Sequence, residues 1–298
     1  MIKHYLDIKL IRGKITSLIA TLDVIWRWQV RPARTPHGLP HPVIVSLTSY
    51  PPRFNTLPLT LKSLLTQTVK ADHTILWIAH DDLPLLPKSV TSLVSQGLEI
   101  RATDDTKSYK KILPALDAFP EAYICTADDD LYYWSTWLEE LIGGIDLERK
   151  EVVPCHNAHT VVANSDGSYR PFLNWEFDAK EQKPSPKLFP QGGCGVLYPP
   201  GILKHDRSDR EAIPSICPTN DDLWLFWMGR RNGALYRRVS QRGIVQWLRS
   251  QHVALWHTNF VTAEGHLVTD GGYDIPARQL AQRYGYPSLT SEVIQQYR

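Results

Sequence analysis

The stretch Tyr123-Ile124-Cys125-Thr126-Ala127-Asp128-Asp129-Asp130 decides how the chain is read. Its first five residues carry no charge and read as a short strand covered on both faces, as in a parallel sheet. Three acids then follow without a break. Adjacent carboxylates repel one another unless a cation is near. Hard divalent ions such as Mg²⁺ and Mn²⁺ take carboxylate oxygens and bridge to phosphates. An acidic triplet just past a buried strand therefore points to a phosphate-bearing ligand at the carboxyl edge of an α/β sheet, where such sheets bind ligands. The plainer explanation is a solvated acidic loop that favours the start of the next helix.

Working outward, the same rhythm surrounds this stretch. Upstream, Val43–Leu47 is a short apolar run, and Leu57, Leu61, Leu64, Leu65 and Val69 follow at helical spacing. Thr74–Ala79 reads as a second strand, and Leu98–Ala102 as a third. Between them Val90, Leu93 and Val94 mark a short helix that Gly97 can end. Tyr109–Phe119 reads as a helix despite Pro114, Ala122–Thr126 as the fourth strand, Trp134–Ile145 as a helix and Val152–Pro154 as a fifth strand. Alternating strands and helices imply a mostly parallel sheet with right-handed crossovers. The rhythm stops near residue 155. From Asn157 to Pro218 the chain is rich in Gly, Pro, Asn and aromatics, before a helix begins at Asp221–Gly229. Leu289, Val293 and Ile294 suggest a short final helix.

Composition narrows the class. With 298 residues, 43% hydrophobic and 21% charged, the chain can bury a large core and is not disordered. A net charge of +2 gives no argument for a nucleic-acid partner. The charge is unevenly spread: residues 1–40 carry +5 and the rest −3. Ten Trp and 13 Tyr suit stacking on sugars and bases, although core packing accounts for most such rings. Cys125, Cys155, Cys194 and Cys217 are far apart and form no C-x-x-C pair, which favours reduced thiols in a cytoplasmic chain. Ile8, Ile11, Ile15, Leu18, Ile19, Leu22 and Ile25 have helical spacing, with Lys9, Arg12, Lys14, Arg27, Arg31 and Arg34 among or just beyond them. Such a segment can lie on an anionic membrane surface or pack on the domain, but it is too short in apolar run to span. Arg31–Pro42, with four prolines and a glycine, reads as a linker.

The ordered set of motifs resembles GT-A-fold glycosyltransferases, in particular bacterial family-2-like enzymes of surface polysaccharide assembly. The matching pieces are Val45–Arg53, Asp105–Lys111, Thr126–Asp130, Gly192–Pro200 and Pro218–Trp224, within roughly residues 42–260. The resemblance implies a GT-A-type Rossmann-like sheet flanked by helices, with an acceptor-binding second half. It implies segments 1–40 (basic N-terminal segment and linker), 41–156 (nucleotide-sugar-binding half) and 157–298 (acceptor-binding half and tail). It also implies a metal-dependent sugar transfer from a nucleotide-sugar, UDP being the usual carrier, to a glycan or lipid-linked acceptor. Thr48, Ser49, Tyr50 and Arg53 would line the base and ribose, with Asp105 beside them. Lys110 or Lys111 would approach the diphosphate. Asp128 would face the ribose or the metal, Asp129 would join the donor contacts, and Asp130 would bind Mn²⁺ or Mg²⁺, with His257 a further metal ligand. The triplet leaves the ligand pair open. Gly192 and Gly193 would sit by the donor sugar.

Asp221 and Asp222 open an apolar helical stretch, and one can cap it while the other faces the cleft. The resemblance places the base of an inverting transfer here, and Asp222 is preferred over Asp221. His156 and His159 lack an obvious carboxylate partner, which favours an acceptor-contact or structural role. The run Arg230, Arg231, Arg237 and Arg238 allows contact with a phosphate or lipid phosphate, with solvated surface the favoured reading. Two other classes stay open: a Mg²⁺-dependent nucleotidyltransferase, which shares clustered acids, and a non-catalytic glycan-binding scaffold. A P-loop is absent from the sequence.

Overall fold

The computed structural model describes residues 2–204, 206–243, 245–247 and 272–290, with side chains from Arg12 onward. The elements in chain order are α1 (Ile2–Val30), β1 (Thr35–Pro36), β2 (Val43–Thr48), α2 (Leu57–Leu65), β3 (Val69–Lys70), β4 (His73–Ala79), α3 (Lys88–Thr91), β5 (Leu98–Thr103), α4 (Leu113–Ala118) and β6 (Tyr123–Thr126). They continue with α5 (Trp137–Ile142), β7 (Val152–Cys155), β8 (Ala158–Thr160), β9 (Leu188–Pro190), β10 (Val196–Tyr198), α6 (Arg207–Ile216), α7 (Asp221–Arg231), β11 (Leu235–Arg238) and α8 (Asp274–Tyr284).

Among the described residues, the central sheet has seven strands in the order β11-β7-β10-β6-β2-β4-β5. β2 pairs in parallel with β4 and β6, β4 with β5, and β7 with β11, while β10 runs antiparallel between β6 and β7. This is the Rossmann-like, mostly parallel sheet flanked by helices that the sequence leads one to expect. β2 lies inside the sheet, and the chain steps to β4 on one side and later to β6 on the other. The loops leaving β2 and β6 therefore emerge side by side at the carboxyl edge, where such sheets bind ligands.

Each face of the sheet has its own core. Val43, Val45 and Leu47 of β2 pack with Leu57, Leu61 and Leu64 of α2 and with Trp137, Leu138 and Leu141 of α5. Ile44, Ile75 and Ile124 face the other way, toward Leu223, Trp224, Phe226 and Trp227 of α7 and Leu280 of α8. Both faces of β2 are covered, which is why its sequence is a continuous apolar run. Each such side chain contributes about 1.5–3 kcal/mol on burial.

Several expectations are refined. Pro114 does not sit inside one helix over Tyr109–Phe119. A 3₁₀ turn spans Lys107–Lys111, and α4 starts at Leu113 with the proline in its first turn, where its missing N–H leaves no gap. The stretch after residue 155 is ordered by the short antiparallel pair β8–β9, by β10 and by α6. α6 opens with a capping box between Asp206 and Asp209. α8 was not apparent in the sequence. Leu289 lies outside any helix, and Val293 and Ile294 fall outside the described residues. The linker around Arg31–Pro42 contributes a short parallel pair, β1 with β3. The arginines near α7 are not solvated surface: Arg230 and Arg238 are buried, Arg230 donating to the carbonyl of Ser288 (2.8 Å) and Arg238 to that of His156 (3.0 Å).

Candidate active site

Five carboxylates meet at the carboxyl edge of β2 and β6. Asp128, Asp129 and Asp130 leave β6, and Asp221 and Asp222 begin α7. Asp129 is the best satisfied. Ser49 donates to it at 2.5 Å and Arg53 at 2.6 Å, both from the turn after β2. Arg53 also lies 3.5 Å from Asp130, and Gln246 donates to Asp130 at 2.8 Å. Arg53 is buried, and its guanidinium ties the two loops together. The nearby acids raise its pKa against the opposing effect of burial.

Lys111 is the second internal cation. Its ammonium stands 2.8 Å from Asp128 and 2.9 Å from Asp221. It is held in place through its backbone: the Lys111 carbonyl accepts from Ser46 Oγ at 2.5 Å, and Ser46 in turn accepts from Trp77 Nε1 at 2.9 Å. A serine in the middle of an apolar strand thus has a purpose, since it fixes where the lysine turn meets the sheet. Lys110 points elsewhere and pairs with Asp105 at 2.5 Å. Thr48 donates to the Trp77 carbonyl at 2.8 Å, and the Tyr50 ring lies 5.5 Å from the Arg53 guanidinium.

The glycine loop between β9 and β10 closes the site. Gly192 N–H donates to Asp222 Oδ1 at 3.1 Å, and Thr126 Oγ1 donates to the Gly192 carbonyl at 3.0 Å. A Cβ on Gly192 would fall on the Asp222 carboxylate, and one on Gly193 would fall on that of Asp128. Backbone must approach both acids closely, and only glycine allows it. Tyr133 clasps the same corner, accepting from Asp128 N–H at 2.7 Å and donating to the Gly193 carbonyl at 2.5 Å.

With five acids facing two cations, the charge balance is uneven, and the acids respond differently. Burial works to raise Asp128, but the charge and hydrogen bond of Lys111 bring it below the usual carboxylate range. Burial raises Asp129 despite Arg53. Asp130 is pushed up to about 6, by lost hydration first and then by Asp128 and Asp129 against the pull of Arg53. Asp222 is pushed up to about 8, by lost hydration and then by its neighbour Asp221. Asp221 is buried, whereas Asp222 keeps part of its surface open. Lys111 is held well above its ordinary value, the three facing acids outweighing burial.

The carboxylate oxygens are the right chemistry for Mg²⁺ or Mn²⁺. The values of Asp130 and Asp222 are raised by lost hydration first and by neighbouring acids after it. Among the described residues, however, no group of three His, Cys, Asp or Glu side chains converges as a complete metal-holding set. His257, the expected further ligand, lies outside the described residues. Asp128 and Asp130 carry carboxylate oxygens of the kind such ions take, and both are engaged here, Asp128 by Lys111 and Asp130 by Arg53 and Gln246.

The structure gathers Ser49, Arg53, Lys111, Asp128, Asp129, Asp130, Gly192, Gly193, Asp221 and Asp222 into one contact network. Asp105 and Lys110 form a separate pair. Sequence reasoning missed Tyr133 and Gln246. Tyr133 sits five residues after Asp128, and nothing in its spacing marks it. His156 and His159 are both buried, and lost hydration lowers each to about 4. His156 bonds the Trp137 carbonyl at 2.8 Å and stacks on that ring. All four cysteines are free thiols.

No protein-family model matches the sequence, and no curated protein matches it. Among solved structures, the chain is similar to the crystal structure of S. aureus TarS, residues 1–349, at 13% identity and a TM-score of 0.42. The likeness covers 68% of this chain and 59% of that one. A likeness this distant says nothing about chemistry, which rests here on the residues themselves.

Proposed function

We propose that the chain is a glycosyltransferase that moves a sugar from a nucleotide-sugar, by default a UDP-sugar, to a glycan or lipid-linked acceptor in surface polysaccharide synthesis. The observation that carries this reading is the junction of Asp128–Asp130, Asp222 and the glycine loop at the point where the sheet order diverges. A donor diphosphate seated at that point lies between an acid cluster suited to a cation and a separate acid suited to a proton.

The roles divide as follows. Ser49 and Arg53 hold Asp129 and Asp130 in position. Asp130 and Asp128, with His257 implied by the sequence resemblance, would hold Mn²⁺ or Mg²⁺, and that ion when bound would neutralise the diphosphate. Lys111 holds Asp128 and Asp221 and adds positive charge beside the leaving group. Asp222 accepts the proton of the acceptor hydroxyl. The hydroxyl oxygen bonds to the anomeric carbon as the bond from that carbon to the diphosphate breaks, and the electron pair leaves with the nucleoside diphosphate. Attack from the face opposite the leaving group inverts the anomeric centre.

Asp222 suits the base role better than Asp221, whose carboxylate is buried against Lys111. A carboxylate raised to about 8 is a stronger base than an ordinary one once ionised. The test is release of nucleoside diphosphate from a panel of nucleotide-sugars with Mn²⁺, with and without chelator, by the intact protein and by Asp130→Ala. Release from one donor that chelator and the variant both abolish supports the reading. Absence of both release and donor binding by calorimetry sinks it in favour of the scaffold.

A further inference from the structure

α1 has two faces. Its inner face is locked onto the domain: Val24, Ala20 and Ser17 are buried, and so is Arg27. Arg27 donates to Asp23 at 2.7 Å, to the carbonyls of Ser63 (3.3 Å) and Thr66 (3.2 Å) on one side and to that of Tyr133 (3.0 Å) on the other. Asp23 also accepts from Tyr132 at 2.8 Å. This face is accounted for.

The outer face is apolar. Ile15, Leu18, Ile19, Leu22, Ile25, Trp26 and Val30 are each between 43% and 62% exposed. At about 100° per residue they form a stripe roughly 140° wide, opposite Ser17, Ala20 and Val24. Half of the large apolar side chains exposed among the described residues, seven of fourteen, lie in this single helix. Contiguous apolar surface of that kind marks a contact site.

Charge selects the occupant. The exposed ionised side chains at the two ends of the stripe are Arg12, Lys14, Arg31 and Arg34, all basic. The acid of this segment with a described side chain, Asp23, is engaged on the inner face. An apolar stripe bounded by cations and carrying Trp26 fits the interface of an anionic bilayer, where the stripe enters the acyl boundary and the cations meet headgroup phosphates. No helix among the described residues is long and apolar enough to cross a membrane, so the geometry is one of lying on the surface.

We propose that the outer face of α1 docks the protein on an anionic lipid surface. The inference does not depend on the reaction assigned to the cleft.

The test is co-sedimentation of the full chain with vesicles of phosphatidylcholine alone and of phosphatidylcholine mixed with phosphatidylglycerol. The protein pellets with the anionic vesicles, and added salt weakens the partition. Leu18→Gln with Leu22→Gln, and separately Arg12→Glu with Lys14→Glu, each reduce partition by on the order of tenfold. These side chains are exposed, so both variants keep the melting temperature of the parent. A parent chain that stays in the supernatant with anionic vesicles overturns the proposal. So does equal binding to both vesicle types that survives the charge reversal. A third outcome also overturns it: a dimer in sedimentation velocity that Leu18→Gln with Leu22→Gln dissociates, with no vesicle binding, would make this face an interface between copies of the chain.

Discussion

Asp129 and Asp222 belong to one acidic cluster and are held by different partners. Asp129 receives a serine hydroxyl and an arginine at hydrogen-bond distance and is nearly closed to solvent. Asp222 receives one backbone N–H from Gly192 and, among the described residues, pairs with no cation of its own. Lys111 is already shared between Asp128 and Asp221. The first arrangement fixes a carboxylate as a structural tie between two loops. The second leaves a carboxylate with no close cation among the described residues, and lost hydration followed by the neighbouring Asp221 holds its proton up to about 8. The two acids differ in their partners, Asp129 tied to a hydroxyl and a guanidinium and Asp222 to a single backbone N–H, while lost hydration raises both.

The largest effect should come from removing the proton acceptor. Asp222→Asn is expected to lower turnover by about 10²–10⁴-fold while leaving nucleoside diphosphate affinity within a few-fold, read by steady-state kinetics and calorimetry. Asp221→Asn producing the larger kinetic loss with Asp222→Asn near parental would reverse the assignment. Next comes the strut. Arg53→Ala leaves Asp129 buried without its cation and should lower the unfolding free energy by about 3–5 kcal/mol in a urea titration. A change near zero would mean that Asp129 is not the structural member of the pair. Gly193→Ala forces Asp128 aside and should lower stability by about 1–3 kcal/mol, visible as a drop in melting temperature.

A further effect is in pH. A folded-state value raised to about 8 means the folded protein holds the Asp222 proton more tightly than the unfolded chain. Its contribution to stability is therefore present below the ordinary carboxylate range and is lost as pH rises through about 8. Asp222→Asn removes that loss, so the variant should gain on the parent as pH climbs from about 4 to about 8, followed by urea unfolding across that range. The activity of the parent should rise over the same interval, because a base works only when ionised. A flat difference in stability between the two proteins would contradict the raised value.

The legible part of the molecule was the part with one demand per segment. Val43–Thr48 and His73–Ala79 are buried on both faces, so composition alone marks them as strands. The acidic triplet and Asp221-Asp222 stood out because acids in a row need a reason. Partners were not legible. Nothing near Tyr133, Gln246 or Ser46 states which distant atom it meets, because those contacts depend on strand order rather than spacing. β8 and β9 are three residues each, below the length at which a period shows. α6 carries Pro214 near its end and few apolar residues, which hid it, although Asp206 followed three places on by Asp209 is a readable start signal. The sequence resemblance sets Gly192 and Gly193 beside a donor sugar, yet the acids they make room for emerge only in three dimensions.

Arg27 has a practical consequence. Its guanidinium is a rivet through three backbone carbonyls, two beside α2 and one in the loop that carries Tyr133 and leads back to the acids. The proline-rich stretch after α1 invites a designer to trim the chain there and keep the remainder. A protein shortened at that point would lose the rivet head together with the helix, and the loop next to the cleft would be the first part to loosen.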